Sequence, residues 1–335
     1  MDLSASTKPI VHAMRAEGRV EVRGSRTHAS LGFPVSSEAR SLTVSSGIVR
    51  HDPADLTVTA LAGTSVAELD AALASSGQFV PLDPFDTSAT LGGTIASGLS
   101  GLRRLGFGPL RDHVLEIRFV DAHGSVLRAG GPTVKNVTGY DLVRLLVGSL
   151  GTLGVFVSVT LRCRPTPPAR HWWTTSSTPR AVLVEAFGVV AVLSDREHTY
   201  VRFEGEPADA DVIVSRLADV VEIDRVAAPN GACRGRISVA PRDLPSVTDA
   251  VAALSATDVL WLAEWGIGTV HIACADESRL AEARAIAHRH GGWLLREAGA
   301  PGLDPFGVAP ANLDLMRRVK GALDPEDRLA PGRFG

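Results

Sequence analysis

Three glycine-rich segments in the first half of the chain constrain its fold more than any other feature. They cover residues 22–32, 89–101 and 134–154. Glycine reaches positive φ without strain and lets a backbone approach a ligand closely, and clustered backbone N–H groups can cradle a pyrophosphate. Taken singly, the first segment also fits an ordinary surface loop. The second fits a tightly packed turn, since its glycines disfavour a helix. Together the segments predict a site for a phosphate-bearing cofactor.

The common nucleotide-binding fingerprints are absent. No G-x-G-x-x-G occurs anywhere in the chain, and no Lys-Ser or Lys-Thr pair follows the third segment as a P-loop requires. Acidic and basic residues nearly balance, with a net charge of −3, and no basic block appears. Nucleic-acid binding usually needs a basic excess, so we expect no nucleic-acid partner. Any dinucleotide must therefore be bound by a motif other than the Rossmann fingerprint or the P-loop.

The three cysteines, Cys163, Cys233 and Cys274, are far apart in the sequence. Without a C-x-x-C pair they predict no iron–sulfur cluster, no metal site and no disulfide framework, which favours a reducing cytoplasm. The N-terminus lacks a signal-peptide pattern. The longest apolar run, Ala181–Leu193, is too short to span a bilayer and contains Glu185. We therefore expect this run to be buried core, in a cytoplasmic protein without membrane insertion.

A proline cluster, Arg164–Pro168, follows an apolar strand and predicts a domain boundary. The first half contains short strands and one helix whose start, at Ser65 and Glu68, has the pattern of a capping box. The second half alternates strands with longer helices, which indicates two-layer α+β packing. No internal repeat is evident. The predicted domains are residues 1–168, residues 169–311 and a tail of residues 312–335.

Five motifs in order resemble the FAD-binding domain shared by vanillyl-alcohol oxidase, p-cresol methylhydroxylase (PCMH), D-lactate dehydrogenase and glycolate oxidase. They are R-G-x-x-T at Arg23–Thr27, T-x-G-G-x-x-A at Thr90–Ala96, G-L-R…G…R-D from Gly101 to Asp112, V-K-x-V-x-G-Y-D-L with L-x-G-S-x-G-T-L-G-V over Val134–Val155, and a proline-glycine tail from Leu323 to Arg333. The resemblance implies an α+β chain with a two-subdomain PCMH-type FAD-binding domain, a small α+β cap domain, and a C-terminal tail that returns to the FAD domain.

The resemblance also implies which residues bind FAD. They are Arg23, Gly24, Ser25, Arg26, Thr27, His28, Pro81, Thr90, Gly92, Gly93, Ser97, Gly98, Arg103, Arg111, Gly148, Gly151, Gly154 and Val155. Some relatives attach FAD covalently through a histidine of the first loop. Thr27 occupies that position here, although His28 lies beside it, so we expect non-covalent FAD.

Within the family, the K-N-V-x-G-Y-D-L-x-R-L wording at Lys135–Leu145 is similar to the short flavin subunit of bacterial glycolate oxidases. This similarity implies oxidation of a small 2-hydroxy acid to a 2-oxo acid, with a larger flavin subunit and an iron–sulfur subunit as partners. The C-terminal H-x-G-D-G-N-x-H motif of the catalytic relatives is missing. The most similar segment ends in His271. This residue is either the candidate catalytic base or a histidine in an amphipathic strand.

Three functions stay open from the sequence. The chain is a flavin subunit of a glycolate-oxidase-like complex, a stand-alone FAD-dependent 2-hydroxy-acid dehydrogenase, or a non-catalytic FAD-bound assembly subunit. Tryptophans of the second half, Trp172, Trp173, Trp261 and Trp265, fit either a subunit interface, where aromatic residues are enriched, or core packing.

Overall fold

The computed structural model describes residues 3–131, 141–254, 259–307 and 312–334. The chain divides into two compact units. The first unit comprises Met1–Gly101, Pro109–Thr166 and Pro310–Gly335, and the second comprises Leu102–Gly108 and Pro167–Ala309. The predicted boundaries at residues 168 and 311 fall within two residues of these divisions. The short segment Leu102–Gly108, which we predicted to lie in the FAD domain, clusters with the second unit.

The helices of the described residues are α1 (Leu3–Arg15), α2 (Val66–Ala74), α3 (Leu91–Ser97), α4 (Arg104–Phe107), α5 (Leu142–Leu146), α6 (Pro179–Glu185), α7 (Pro207–Arg216), α8 (Leu244–Ala252), α9 (Glu277–Arg289) and α10 (Leu313–Leu323). The strands are β1 (Val20–Val22), β2 (Arg40–Leu42), β3 (Ile48–Asp52), β4 (Thr57–Leu61), β5 (Gln78–Phe79), β6 (Val114–Val120), β7 (Val126–Gly130), β8 (Val155–Arg162), β9 (Arg164–Pro165), β10 (Ala169–Thr175), β11 (Val189–Ser194), β12 (Thr199–Gly205), β13 (Val221–Ile223), β14 (Cys233–Ser238), β15 (Val259–Glu264), β16 (Thr269–Cys274) and β17 (Trp293–Ala298).

The first unit is built on a five-stranded antiparallel sheet in the order β3-β4-β8-β6-β7. The central strand β8 is buried along almost its whole length because both faces of the sheet are covered. Helices α2, α3 and α5 contribute to the core cluster on one face, and α1 contributes Ile10 and Met14 to a separate cluster with Val155 and Val157. A parallel pair, β1 and β2, lies outside this sheet.

Two local predictions in the first unit have different outcomes. The capping box is confirmed, because the Ser65 hydroxyl accepts from the Glu68 N–H while the Glu68 carboxylate accepts from the Ser65 N–H. The expectation that glycines exclude a helix from residues 89–101 is wrong, because α3 forms there. Thr90 caps its first turn, and a Cβ at Gly92 would lie only 3.0 Å from the Ala62 carbonyl oxygen. Close packing overrides propensity at this position.

The second unit contains an eight-stranded antiparallel sheet in the order β13-β10-β12-β11-β15-β16-β14-β17. It consists of two consecutive β-α-β-β-α-β halves, which are joined where β11 pairs with β15. Counted outward from the junction of β11 and β15, the strands of the two halves follow the same order in space. The expectation of no repeat is therefore wrong at the level of structure. Helices α6 to α9 supply core residues on one face of this sheet.

The apolar run Ala181–Leu193 is not the buried core segment that we predicted. It forms the end of α6 and most of β11, and only its strand is consistently buried. Val184 is 76% exposed and Phe187 is 93% exposed. The run crosses from a helix with a single buried side chain, Val182, to an inner strand, so continuous hydrophobicity here does not mean continuous burial.

Candidate cofactor cleft

A cleft of about 330 Å³ lies in the first unit, which is within the range of ligand pockets. It is lined by residues from three loops, the adjoining strands and the C-terminal tail: Glu21, Val22, Arg23, Gly24, Ser25, Arg26, Thr27, His28, Ala29, Leu31, Thr43, Val44, Ala62, Gly63, Thr90, Gly92, Gly93, Ala96, Ser97, Leu150, Gly151, Gly154, Phe156 and Arg333. Most of the predicted FAD-binding residues therefore meet in one place.

The loop after β1 supplies donors to the cleft. Within the part of the chain that the structure describes, the backbone amides of Gly24, Ser25 and Arg26 donate no hydrogen bond to another residue. Arg26 adopts a φ of 65°, which is rare for a residue with a side chain. A Cβ on Gly24 would overlap with the side chain of Thr90, so only glycine brings this loop against α3. Free amides at a turn of this kind form an anion cradle.

The third loop packs on α3 through two glycines. Gly98 ends α3 in the left-handed conformation, and a Cβ there would lie 2.9 Å from the Gly148 Cα. This close approach allows the Leu150 N–H to donate to the Ala96 carbonyl at 2.8 Å. Gly151 follows with a φ of 76° and no heavy atom within 4 Å of an added Cβ. The glycine pair thus places Leu150 and Gly151 in the cleft wall.

The charges that line the cleft suit an anion. Arg23, Arg26 and Arg333 face one carboxylate, Glu21, which is 2.7 Å from Arg23 Nε and 2.9 Å from Arg333 Nη2. Apolar atoms make up the remaining wall, including Val44 and Phe156. A dinucleotide combines a pyrophosphate with apolar ring systems. The free amides, the basic excess and the apolar wall therefore fit FAD.

Six predicted FAD-binding residues do not line this cleft. They are Pro81, Gly98, Arg103, Arg111, Gly148 and Val155. The two glycines act through the backbone approach described above, and Val155 is fully buried in the sheet core. Arg111 is half exposed and pairs with Asp112. Arg103 belongs to the second unit, where it pairs with the buried carboxylate of Glu204 at 3.2 Å.

Twelve lining residues were not among the predicted FAD-binding residues, although five of them lie in the three glycine-rich segments. The twelve are Glu21, Val22, Ala29, Leu31, Thr43, Val44, Ala62, Gly63, Ala96, Leu150, Phe156 and Arg333. The tail motif that ends in Arg333 was noticed as part of the resemblance, and its basic residue was the available signal. The segment Val134–Tyr140, which carries most of the V-K-x-V-x-G-Y-D-L motif, lies outside the described residues.

His271 is found in the second unit, away from these loops in the sequence. It lies on β16, on the sheet face opposite the helices, because its neighbours Val270 and Ile272 belong to the helix-side core. Its Nε2 is 2.8 Å from Glu264 Oε1, and both residues are buried, with 5% and 3% exposure. A buried carboxylate can hold an imidazole in one orientation.

The described residues offer neither a metal site nor a membrane-spanning helix, and their cysteines are unreactive. No group of three or more His, Cys, Asp or Glu side chains there could hold a metal ion. No helix among them combines the length and apolar character that crossing a bilayer demands. The three cysteines are free and buried, and burial raises the pKa of Cys163 and Cys274 to about 11. Such thiols stay protonated at neutral pH and are poor nucleophiles.

Part of the chain is similar to known proteins. Residues 6–130 match the family model described as FAD binding domain. The chain is 43% identical over 150 residues to glycolate oxidase subunit GlcE of Escherichia coli K12, covering 44% of this chain and 43% of that protein. It is 39% identical over 124 residues to glycolate oxidase subunit GlcD of Bacillus subtilis, covering 37% of this chain and 26% of that one. D-lactate dehydrogenase of Archaeoglobus fulgidus is 42% identical over 104 residues, covering 31% and 24%.

The folded chain is similar to solved structures of alkyldihydroxyacetonephosphate synthase. One matches with a TM-score of 0.67 at 13% identity, covering 98% of this chain and 74% of that chain. Identity this low shows the fold alone. The matches to the curated relatives span less than half of each relative's length. Residues 6–130 are therefore similar to the FAD binding domain family, and the chain as a whole has a mixed helix and sheet fold similar to that of alkyldihydroxyacetonephosphate synthase.

Proposed function

We propose that this chain is an FAD-dependent oxidoreductase for small 2-hydroxy acids, and that it works as a flavin subunit of a glycolate-oxidase-like complex. One observation carries the proposal. The glycine-rich loops of a family FAD domain converge on a cleft whose amides at Gly24, Ser25 and Arg26 have no partner within the described chain. The relatives named as glycolate oxidase subunits and D-lactate dehydrogenase supply the substrate class.

FAD, when bound, supplies a flavin ring that accepts a hydride from the α-carbon of the hydroxy acid. The chain's own residues bind and orient the cofactor. The Gly24–Arg26 amides and Arg26 would hold the pyrophosphate, while Gly92 and Gly151 keep the wall free of side chains. The Thr27 hydroxyl lies 3.0 Å from His28 Nδ1. Because Thr27 occupies the position of the tethering histidine of some relatives, we propose that FAD is bound non-covalently.

The second unit is the proposed cap domain, and His271 is its proposed base for the hydroxyl proton of the substrate. The hydrogen bond to Glu264 engages Nε2 and orients the imidazole, on the sheet face opposite the helices. We further propose that the first unit contains the two subdomains of the PCMH-type FAD fold, with residues 312–335 returning to it.

The proposed partners are a larger flavin subunit and an iron–sulfur subunit. A cubane iron–sulfur cluster needs four cysteine ligands, and this chain contains three cysteines, all of them buried. Electrons from a reduced flavin must therefore leave through another protein or a small acceptor. Free thiols also suit a reducing compartment, so we propose a cytoplasmic location.

Two other functions compete with this one. A stand-alone dehydrogenase is favoured by the buried His271–Glu264 pair, which is a complete base with its orienting group. A non-catalytic assembly subunit is favoured by the absence of the longer histidine motif that catalytic relatives carry near this strand. In the latter case, the pair has a structural role in the sheet.

The test uses the full chain, alone and purified with its partner subunits. We expect a yellow protein that releases FAD into the supernatant on acid precipitation, and whose flavin is bleached anaerobically by glycolate or D-lactate in the complex. Turnover of an artificial dye by the chain alone at about 10 per second would replace the proposal with the stand-alone dehydrogenase. Absence of bleaching in the complex would favour the assembly subunit.

The role of His271 is tested in the same assay. His271→Gln is expected to slow flavin reduction by at least about 100-fold, the scale of general-base catalysis, with FAD content unchanged. His198→Gln is the matched control, since His198 is an exposed histidine of the same unit. Equal rates in the two variants would remove His271 from the mechanism.

A further inference from the structure

The C-terminal segment after α10 is fixed to the first unit by backbone hydrogen bonds. The Val20 N–H donates to the Arg328 carbonyl at 2.7 Å, and the Ala330 N–H donates to the Val20 carbonyl at 2.8 Å. Leu329, between them, is fully buried in the cluster that contains Met14. The tail therefore extends beside β1, the strand that leads directly into the Gly24–Arg26 cradle.

The last arginine of the tail, Arg333, reaches the cradle loop with its side chain. Its Nη1 donates to the carbonyls of Ala29 at 3.0 Å, Leu31 at 2.8 Å and Phe33 at 3.3 Å. Its Nη2 donates to Glu21 at 2.9 Å. Burial lowers the pKa of the guanidinium, and the neighbouring Glu21 opposes this shift. The Arg333 side chain thus links three carbonyl groups of the loop to β1, the strand that precedes it.

Backbone hydrogen bonds inside the loop join residues that are close in sequence. Inside it, the Ala29 N–H donates to the Arg26 carbonyl at 3.1 Å and the Leu31 N–H donates to the His28 carbonyl at 3.2 Å. The Phe33 N–H donates to the Arg333 carbonyl at 2.9 Å, so the tail backbone also takes part. A loop that is already ordered loses less conformational entropy when a ligand binds. The contacts of Arg333 span the loop from Ala29 to Phe33 and link it to Glu21 on β1.

We infer that Arg333 is a positioning residue for the cofactor: it holds residues 24–33 in the conformation that binds FAD, so that the site is completed only by the C-terminal tail. This inference rests on the assignment of the cleft to FAD. It goes beyond the family model, since Arg333 lies far outside residues 6–130. It also implies that a chain truncated before the tail folds its glycine loops without a competent cradle.

A positioning role differs in its consequences from a simple charge effect. Arg333 and Glu21 both line the cleft and carry opposite charges. If charge alone mattered, removing Arg333 would weaken FAD binding and removing Glu21 would strengthen it. If positioning matters, both removals weaken binding, because each breaks the tie between loop and strand.

The experiment measures FAD affinity of the full-length apoprotein by quenching of flavin fluorescence. We expect Arg333→Gln to raise the Kd at least about tenfold and Glu21→Leu to raise it as well. Arg328→Gln is the matched control, because Arg328 also donates to backbone carbonyls, those of Gly18, Ala122 and Ala16, none of which lines the cleft. It should lower the melting temperature and leave the Kd within about twofold of wild type. A lower Kd in Glu21→Leu, or equal Kd changes in Arg333→Gln and Arg328→Gln, would overturn the inference.

Hydrogen exchange of the apoprotein gives a second readout that needs no FAD. Amides of Leu31, Phe33 and Ser36 should exchange faster in Arg333→Gln than in Arg328→Gln. If wild type takes up no FAD, the cofactor assignment fails while the exchange data still decide whether Arg333 orders the loop. If Arg333→Gln does not fold, Arg333→Lys replaces it. Lysine keeps the charge but not the planar fork, so an intermediate Kd supports positioning and a wild-type Kd contradicts it.

Discussion

The cleft of the first unit and two buried carboxylates of the second unit differ in how their polar groups are paired. Around the cleft, the amides of Gly24 to Arg26 lack partners within the described chain, and Arg26 and Leu150 adopt positive φ. In the second unit, the buried carboxylates of Glu264 and Glu204 both have partners. His271 pairs with Glu264 at 2.8 Å, and Glu204 accepts from both Arg202 and Arg103.

This difference separates binding from stability. The residues that carry the cleft amides are exposed, so these amides add no hydrogen bond to the fold, whereas the positive φ of Arg26 and Leu150 costs free energy; a ligand that pairs the amides gains those hydrogen bonds on binding. Buried pairs such as Glu264 with His271 are satisfied within the protein, so removing one partner destabilises the fold. We therefore expect substitutions at the cleft to change FAD affinity, and substitutions of the buried pairs to change the free energy of unfolding.

The largest expected effect is on the buried pair of the second unit. Glu264→Leu leaves His271 without its carboxylate and should lower the free energy of unfolding by about 3 kcal/mol, the scale for breaking a buried pair. Urea denaturation measures it. Glu264→Gln, which keeps an acceptor for the imidazole, is the control and should lose clearly less. A loss under about 1 kcal/mol in Glu264→Leu would mean that the pair is not a satisfied structural unit.

The comparison also explains what could be predicted from the sequence. The cleft loops could be predicted because crowded positions such as Gly24 and positive-φ positions such as Gly151 require glycine, which is visible in the sequence. The start of α2 was also predicted, because a capping box needs particular residue types at a fixed spacing, as at Ser65 and Glu68. The Glu264–His271 pair was not predicted, since the two residues meet only across a strand pairing.

The repeated topology of the second unit and the role of Arg333 were also not predicted, because both depend on contacts between residues far apart in the sequence. The two β-α-β-β-α-β halves of the second unit are alike in topology, and topology is set by the size and burial of side chains rather than by their identity. The role of Arg333 depends on a contact with Ala29 and Leu31 from the opposite end of the chain. No local pattern contains either relation.

The second prediction concerns a substitution in the cleft wall. Gly151→Val places a branched side chain at a φ of 76° where no heavy atom of the protein stands within 4 Å, so it fills space that the cofactor needs. We expect the FAD Kd to rise at least about 30-fold, or ~2 kcal/mol, as measured by fluorescence titration.

Its control is Gly77→Val. Gly77 belongs to the same unit, has a φ of 60° and also has no heavy atom within 4 Å of an added Cβ, but it does not line the cleft. Both variants carry the strain of a left-handed valine, of roughly 1–2 kcal/mol, and circular dichroism should show both folded. Matching Kd values in the two variants would place FAD elsewhere.

The smallest effect is expected for a substitution at Glu68, away from the cleft. It tests whether a loss of stability in the first unit is enough to weaken FAD binding. Glu68 completes the capping box of α2, accepting from the Ser65 N–H at 2.7 Å and the Ser65 hydroxyl at 2.9 Å. These bonds hold the pKa of the Glu68 carboxyl below its ordinary value of 4.5. Because the folded pKa is the lower one, the stabilisation is fully present at neutral pH and is lost as the pH falls through the folded pKa.

Glu68→Gln removes this titration. We expect it to cost about 0.5 kcal/mol at pH 7, since an exposed cap sits at the low end of the range for capping groups, and the difference from wild type should shrink toward zero near pH 3. Glu17→Gln, a change at another exposed glutamate of the same unit, should show neither effect. The FAD Kd at pH 7 should equal that of wild type, because the loss is one of stability at a helix end that does not line the cleft. A raised Kd in Glu68→Gln would show that the free energy of unfolding of the first unit, rather than the local order of its loops, sets cofactor affinity.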